Sequence, residues 1–199
     1  MFNLKFFIVL IGIFLGVGFS HSVQATMVMP MGLQSMVRQA DRIFLGKVLV
    51  VEQDLDEQNI PTTYLRLQVL QGIKGVASGS QVLLKQYAPP PRQLGGILGM
   101  SKSQAEVPMR LQVGDEAVLM IYPDSRYGFT SPVGFGQGAF IVSQETDRQV
   151  VSNIWQNHFL HLSDKNRNAT TLPSLSLPAE GGPIELNSFL TTVRKVVGP

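Results

Sequence analysis

The sequence predicts a mainly β protein: a small, closed or nearly closed antiparallel barrel with a short N-terminal helix and a C-terminal helix. Three observations lead there. Five or six short stretches either alternate in polarity or are rich in β-branched and aromatic residues. Clusters of Gly, Pro, Asn and Asp separate them. Apolar residues recur at helical spacing only before the first of these stretches and at the C-terminal end. A closed barrel also hides its strand edges, which matters for a chain with no cysteine and hence no disulfide to support its core.

Taken in order, the chain opens with Lys5, the apolar run "FFIVLIGIFLGVGF", and small residues Val23 and Ala25 where a cleavage site needs them. Residues 1–25 are therefore expected to be a signal peptide, with an uncleaved membrane anchor as the alternative. No later stretch is apolar enough to span a bilayer. The mature chain is expected to be exported, to a periplasm or the outside of a bacterial cell, with no stable membrane anchor. Residues 26–162 make one barrel domain, and 163–199 a polar linker and the C-terminal helix. Of the sixteen basic residues the mature part loses only Lys5, against fourteen acidic ones. Charges so balanced and scattered leave no footprint for nucleic acid or an anionic surface.

In "GLQSMVRQADRIF", Leu33, Met36, Val37 and Ala40 share a helical face. "RIFLGKVLVVEQDL" is a strand, with Gly46 placed for a bulge or sharp coil, and "DEQNIP" is a turn. "TTYLRLQVLQGIKG" alternates, with Tyr64, Arg66 and Gln68 on one side and Leu65, Leu67 and Val69 on the other. "SQVLLKQY" is a third strand. Residues 88–108, with three consecutive prolines and a Gly-Gly pair, are a long mobile surface loop. "VGD" is a turn before the apolar strand "AVLMIY", and "GAFIVSQETDRQVVSNIW" is a hairpin turning at "QETD". In "IELNSFLTTVRKVV", Leu186, Phe189, Leu190 and Val193 mark the closing helix.

The succession "QADRIFLGKVLVVE", "TTYLRLQVLQGIKG", "SQVLLKQY", "LQVGDEAVLMIYP" resembles a netrin-like or tissue-inhibitor-of-metalloproteinase-like OB barrel over residues 36–142. The segment "TSPVGFGQGAF" is similar to one in a group of uncharacterised exported bacterial proteins. The resemblance implies an OB-like (netrin-like) antiparallel barrel. Those inhibitors insert an N-terminal cysteine into a protease's zinc site, whereas the mature chain here would begin Thr26-Met27-Val28-Met29, so the resemblance does not carry inhibition by that route.

The least ordinary stretch is "YGFTSPVGFGQGAF", residues 127–140, with Gly134, Gly136 and Gly138 at alternate positions. A phosphate-binding glycine loop needs a helix N-terminus after it; here Phe140, Ile141 and Val142 continue as a strand. Two readings remain open. The glycines supply left-handed backbone or let the chain pass close to the barrel wall, or the loop presents Phe129, Ser131, Pro132, Phe135 and Gln137 to a protein partner.

Other chemistry is thin. His158, His161 and Asp164 fall short of a metal set. Ser131-Pro132 lacks the glycines and helix of a nucleophile elbow, and Asp54, Asp56 and Glu57 sit in a turn where solvation is the simplest reading. Trp155 covers one end of the core or offers a sugar-stacking platform. "NAT" at 168–170 matches a glycosylation acceptor but means little in a bacterial chain. The expectation is an exported, non-enzymatic module without a cofactor, binding an unidentified exported protein through the 127–140 loop and the 88–108 insert. The alternatives are a carbohydrate- or peptidoglycan-binding module and a metal-dependent hydrolase using His158 or His161.

Overall fold

The computed structural model describes residues 28–88, 111–162, 177 and 180–198. The expected signal peptide at 1–25, the 88–108 loop beyond Ala88 and most of the polar linker after 162 lie outside the described residues. Helix α1 (Leu33–Gln39) is followed by strands β1 (Arg42–Leu55), β2 (Pro61–Lys74), β3 (Gln81–Tyr87), β4 (Glu116–Ile121), β5 (Ala139–Glu145), β6 (Arg148–Ser152) and β7 (Ile184–Glu185), and then by helix α2 (Leu186–Val197). The strands form one seven-stranded sheet in the order β3-β2-β1-β4-β5-β6-β7, antiparallel at every step. The mainly β class with two flanking helices therefore stands. Among the described residues no helix is long and apolar enough to cross a membrane.

β1 is the organising strand, because β2 pairs along its whole length and β4 along its first half. The β1–β2 ladder shifts register three times, one shift falling between Leu45 and Gly46 as the glycine suggested. A Cβ on Gly46 would lie 2.9 Å from the Phe44 ring, so the glycine lets that ring fold over the strand.

Alternation along the central strands divides the core in two. Ile43 and Leu45 of β1, Val118 and Met120 of β4, Phe140 of β5 and Val151 of β6 meet the buried faces of both helices. The other side of the sheet carries Phe44, Val48, Leu65, Leu67, Val69, Val82, Leu84, Ala117, Leu119 and Ile121. No described helix is part of that cluster, which Leu111 and Ala139 complete. β3 is also met by the β4–β5 connection through a single parallel bridge, Lys85–Phe129, while Pro132 bridges to Ile121.

The end of α1 and the start of α2 are each met by a charge of the right sign. The Lys74 ammonium donates to the Val37 and Ala40 carbonyls at the end of α1. At the start of α2 the Glu185 carboxylate accepts from the backbone N–H groups of Asn187 and Ser188. The buried face of α2 is Leu186, Phe189, Leu190 and Val193, as its spacing predicted, with the Phe189 ring 4.5 Å from Phe140. Ile184 and Glu185, expected within the helix, instead pair with Val151 and Val150 of β6 before the helix begins at Leu186. The "QETD" turn tightens to Thr146-Asp147, because the ladder continues to Glu145 and Arg148.

Hydrogen bonding from Ser188, and then from the Asn187 N–H, holds the Glu185 carboxyl below its ordinary value of 4.5. A carboxyl lowered in the folded state contributes stability that is present above its unfolded value and lost as pH falls through the folded one. Glu185→Ala should cost about 1 kcal/mol at pH 7. Thermal melts of both proteins should converge as pH drops below the ordinary carboxylate range, and a constant gap would show that the carboxylate is not the cap.

Candidate functional site

On the outer side of β1, β2 and β3, register sets three rows of side chains: Val50–Arg66–Leu83, Glu52–Tyr64–Lys85 and Asp54–Thr62–Tyr87. Residues of the other parity, Leu65, Leu67, Val82 and Leu84, face the core, so the pleat puts this set on the opposite side, where Thr62 is nonetheless buried. Leu83 and Tyr87 are 53% and 54% exposed, and Arg66 lies open beside them.

Lys85 stands at the centre of this face and is tied down on three sides. Its ammonium lies 2.9 Å from Asp56 Oδ2, donates to the Tyr127 carbonyl at 3.0 Å, and sits 4.4 Å from the centre of the Phe129 ring. Its own carbonyl accepts the Thr130 N–H. The β1–β2 turn, β3 and the β4–β5 connection thus meet at one lysine, which holds Tyr127, about half exposed, at the rim of the tyrosine-bearing face.

Asp56 is not the solvated turn residue that its neighbours suggested. Its side chain is almost wholly buried, and Oδ1 accepts the N–H groups of Gln58 and Ile60. Burial pushes the carboxyl up, but the Ile60 N–H, the Lys85 ammonium and the Gln58 N–H together outweigh it and leave the group below its ordinary value.

The loop at 127–140 does not present its five candidate residues together. Phe129 is half-buried under Lys85, and Ser131 is half-buried with its carbonyl taken by the Tyr122 N–H. Pro132 is buried. Gln137, 1% exposed, turns inward: its Nε2 donates to the carbonyls of Met29 and Gly134, and its Oε1 accepts the Met31 N–H. It grips the extended segment that leads into α1. Phe135 alone projects, 60% exposed, with a φ of 56° that side chains rarely adopt. The glycines divide between the two structural uses expected of them. Gly134 and Gly136 have left-handed φ, whereas at Gly138 a Cβ would come 2.9 Å from the Met120 carbonyl oxygen.

Behind the loop the buried amides continue. Asn153 donates to the Gln137 carbonyl; Asn157 donates to the Val151 and Gly182 carbonyls and accepts the Asn153 N–H. Trp155 joins neither buried cluster; it stands edge-on to Phe159 at 5.1 Å, so it does not close an end of the core. His158 is exposed, with Nδ1 against the Trp155 carbonyl. Asp164 falls outside the described residues, and among those described no three His, Cys, Asp or Glu side chains could hold a metal ion.

Sequence reasoning missed Lys85, Asp56, Leu83, Tyr87 and Tyr127 as a group. The strand alternation that set Tyr64 and Arg66 on one side was the available signal; what it lacked was the pairing that lays β3 and residues 127–129 beside them. Fold and site together define a small antiparallel β protein with an aromatic outer face and no assembled catalytic set among the described residues. Compared with known proteins, the chain matches no family model, no curated protein and no solved structure.

Proposed function

We propose that this is an exported, non-enzymatic binding module, and that a protein partner docks on the outer face of β2 and β3 with the adjoining Tyr127–Phe129 edge. One observation carries the reading: Leu83, Tyr87 and Tyr127 stand about half exposed around a lysine immobilised by Asp56 and Phe129. Tyrosine and arginine on a rigid backing are among the residues enriched in interface hot spots. Phe135 is a second anchor, since glycine or asparagine would relieve its backbone strain and a phenylalanine held there serves contact better than stability. Export rests on the signal-like residues 1–25. The OB-like reading of the fold is supported by a strand order in which β1 pairs with both β2 and β4, and by the Lys85–Phe129 bridge beside β3.

The test is cross-linked capture from the host's envelope and medium, with wild type, the double variant Leu83→Ala/Tyr87→Ala, and Phe135→Gly. A partner recovered with wild type and lost with the double variant, at unchanged melting temperature, supports the face. Recovery unaffected by the double variant removes it. The same exposed tyrosines also suit sugar stacking better than Trp155 does; tyrosine fluorescence that responds to soluble peptidoglycan fragments, and no longer does so in Tyr87→Ala, would favour that alternative.

A further inference from the structure

Among the described residues, the distal half of β1 has a neighbouring strand on one side only. β4 pairs with β1 from Arg42 to Lys47, and Val48 completes the contact by exchanging bonds with Gly114 and Asp115. Beyond it, among the described residues, only β2 lies alongside β1. The direction of the remaining backbone groups follows from β2. Val69 accepts the Gly79 N–H and donates to Ser80, so its polar groups point toward β3. Leu65 and Thr63, of the same parity, point that way too. Their partners on β1, Val51 and Gln53, therefore turn N–H and C=O to the free edge. Leu55 shares that parity, and its outward N–H is already taken by the Asp54 carboxylate, which ends the open stretch.

The side chains along this edge specify what would fit. Val51 packs on the inner core and Leu55 is exposed on the same side, while Glu52 and Asp54 face the outer side, with no cationic partner among the described residues. We propose that the Val51–Leu55 edge takes an extended peptide segment as an added strand, one that alternates basic and apolar residues: basic beside Glu52 and Asp54, apolar beside Val51 and Leu55. A second copy of this chain fits poorly. Two-fold antiparallel registers centred on Glu52, Gln53 or Asp54, the ones that match two or more outward residues of this stretch, set Glu52 against Asp54 or one of them against itself. The inference does not depend on the aromatic face, which lies over β2 and β3.

The probe is a fluorescein-labelled octapeptide, Thr-Lys-Val-Lys-Val-Lys-Val-Thr, compared with its counterpart bearing glutamate for lysine, by anisotropy on the full mature chain. The basic peptide should bind at least tenfold more tightly. Gln53→Pro deletes an N–H that points away from β2, so it should weaken binding tenfold or more while leaving the melting temperature near wild type. Glu52→Pro, whose N–H belongs to the β1–β2 ladder, should instead lower the melting temperature. Glu52→Lys/Asp54→Lys should reverse the preference between the peptides. The proposal is overturned by equal affinity for the two peptides, by no binding of either at millimolar concentration, or by binding that Gln53→Pro leaves intact. It is equally overturned by a large loss of stability in Gln53→Pro, which would mean the edge is already paired within the chain. A dimer in sedimentation that Gln53→Pro dissolves would assign the edge to a second copy and overturn it as well. Each result is independent of capture on the aromatic face.

Discussion

Replacing Gly32 with alanine is expected to destabilise the fold by on the order of 3 kcal/mol. Gly32 precedes α1 with φ near −75° and ψ near 159°, a conformation open to any residue, so backbone strain plays no part. The conflict is steric: a Cβ there would lie 1.8 Å from the Leu162 carbonyl oxygen and 2.8 Å from its carbon. Backbone is the obstacle, so no side-chain rotation relieves it. The neighbouring Leu33 N–H donates to the Leu160 carbonyl, and separating the two segments would strain that bond as well. Gly79→Ala is the control, since Gly79 has φ of 80° and nothing within 4 Å of an added methyl. It should cost only about 1 kcal/mol, from the left-handed backbone alone. Equilibrium denaturation of the two variants checks the order; equal costs would mean that the Gly32–Leu162 approach is not a constraint.

Gln137→Ala is expected to cost about 2–4 kcal/mol, because three hydrogen bonds of a buried amide disappear and their backbone partners lose them. Those partners, the Met29 and Gly134 carbonyls and the Met31 N–H, are within 2.8 to 3.0 Å of the amide. Gln137→Glu preserves shape and the Met31 contact, but it replaces two donated bonds with an oxygen facing oxygens. It should therefore be no better tolerated at neutral pH. Phe135→Gly, two residues away, should be neutral or stabilising by up to about 1 kcal/mol, because it relieves a strained φ at an exposed position. Chemical denaturation of all three decides whether the loop is held by its glutamine, and a stable Gln137→Ala would return Gln137 to the list of contact residues. Phe135→Gly is accordingly the variant that separates binding from folding in this loop.

Much of this was legible in the residues. Alternation in "TTYLRLQV" assigned Leu65 and Leu67 to the core and Tyr64 and Arg66 to the outside, and the structure keeps that division. Spacing in the C-terminal segment named all four buried residues of α2. Gly46 marked the place where β1 slips against β2. Period and turn chemistry are local properties, carried by residues a few positions apart, and a chain displays them before it folds.

The residues that build the site pair over long distances, and no period encodes such pairs. Asp56 resembled any turn carboxylate until β3 brought Lys85 to it; Gln137 resembled a contact residue until the segment before α1 came within reach of its amide. The outward groups of Val51 and Gln53 likewise depend on where β4 stops. The sequence by itself determined most strand and helix positions, the buried faces of β2 and of both helices, and that no disulfide supports the core. Only the tertiary structure decided which polar groups are consumed inside the protein, because a buried donor or charge takes whichever partner the packed chain sets beside it.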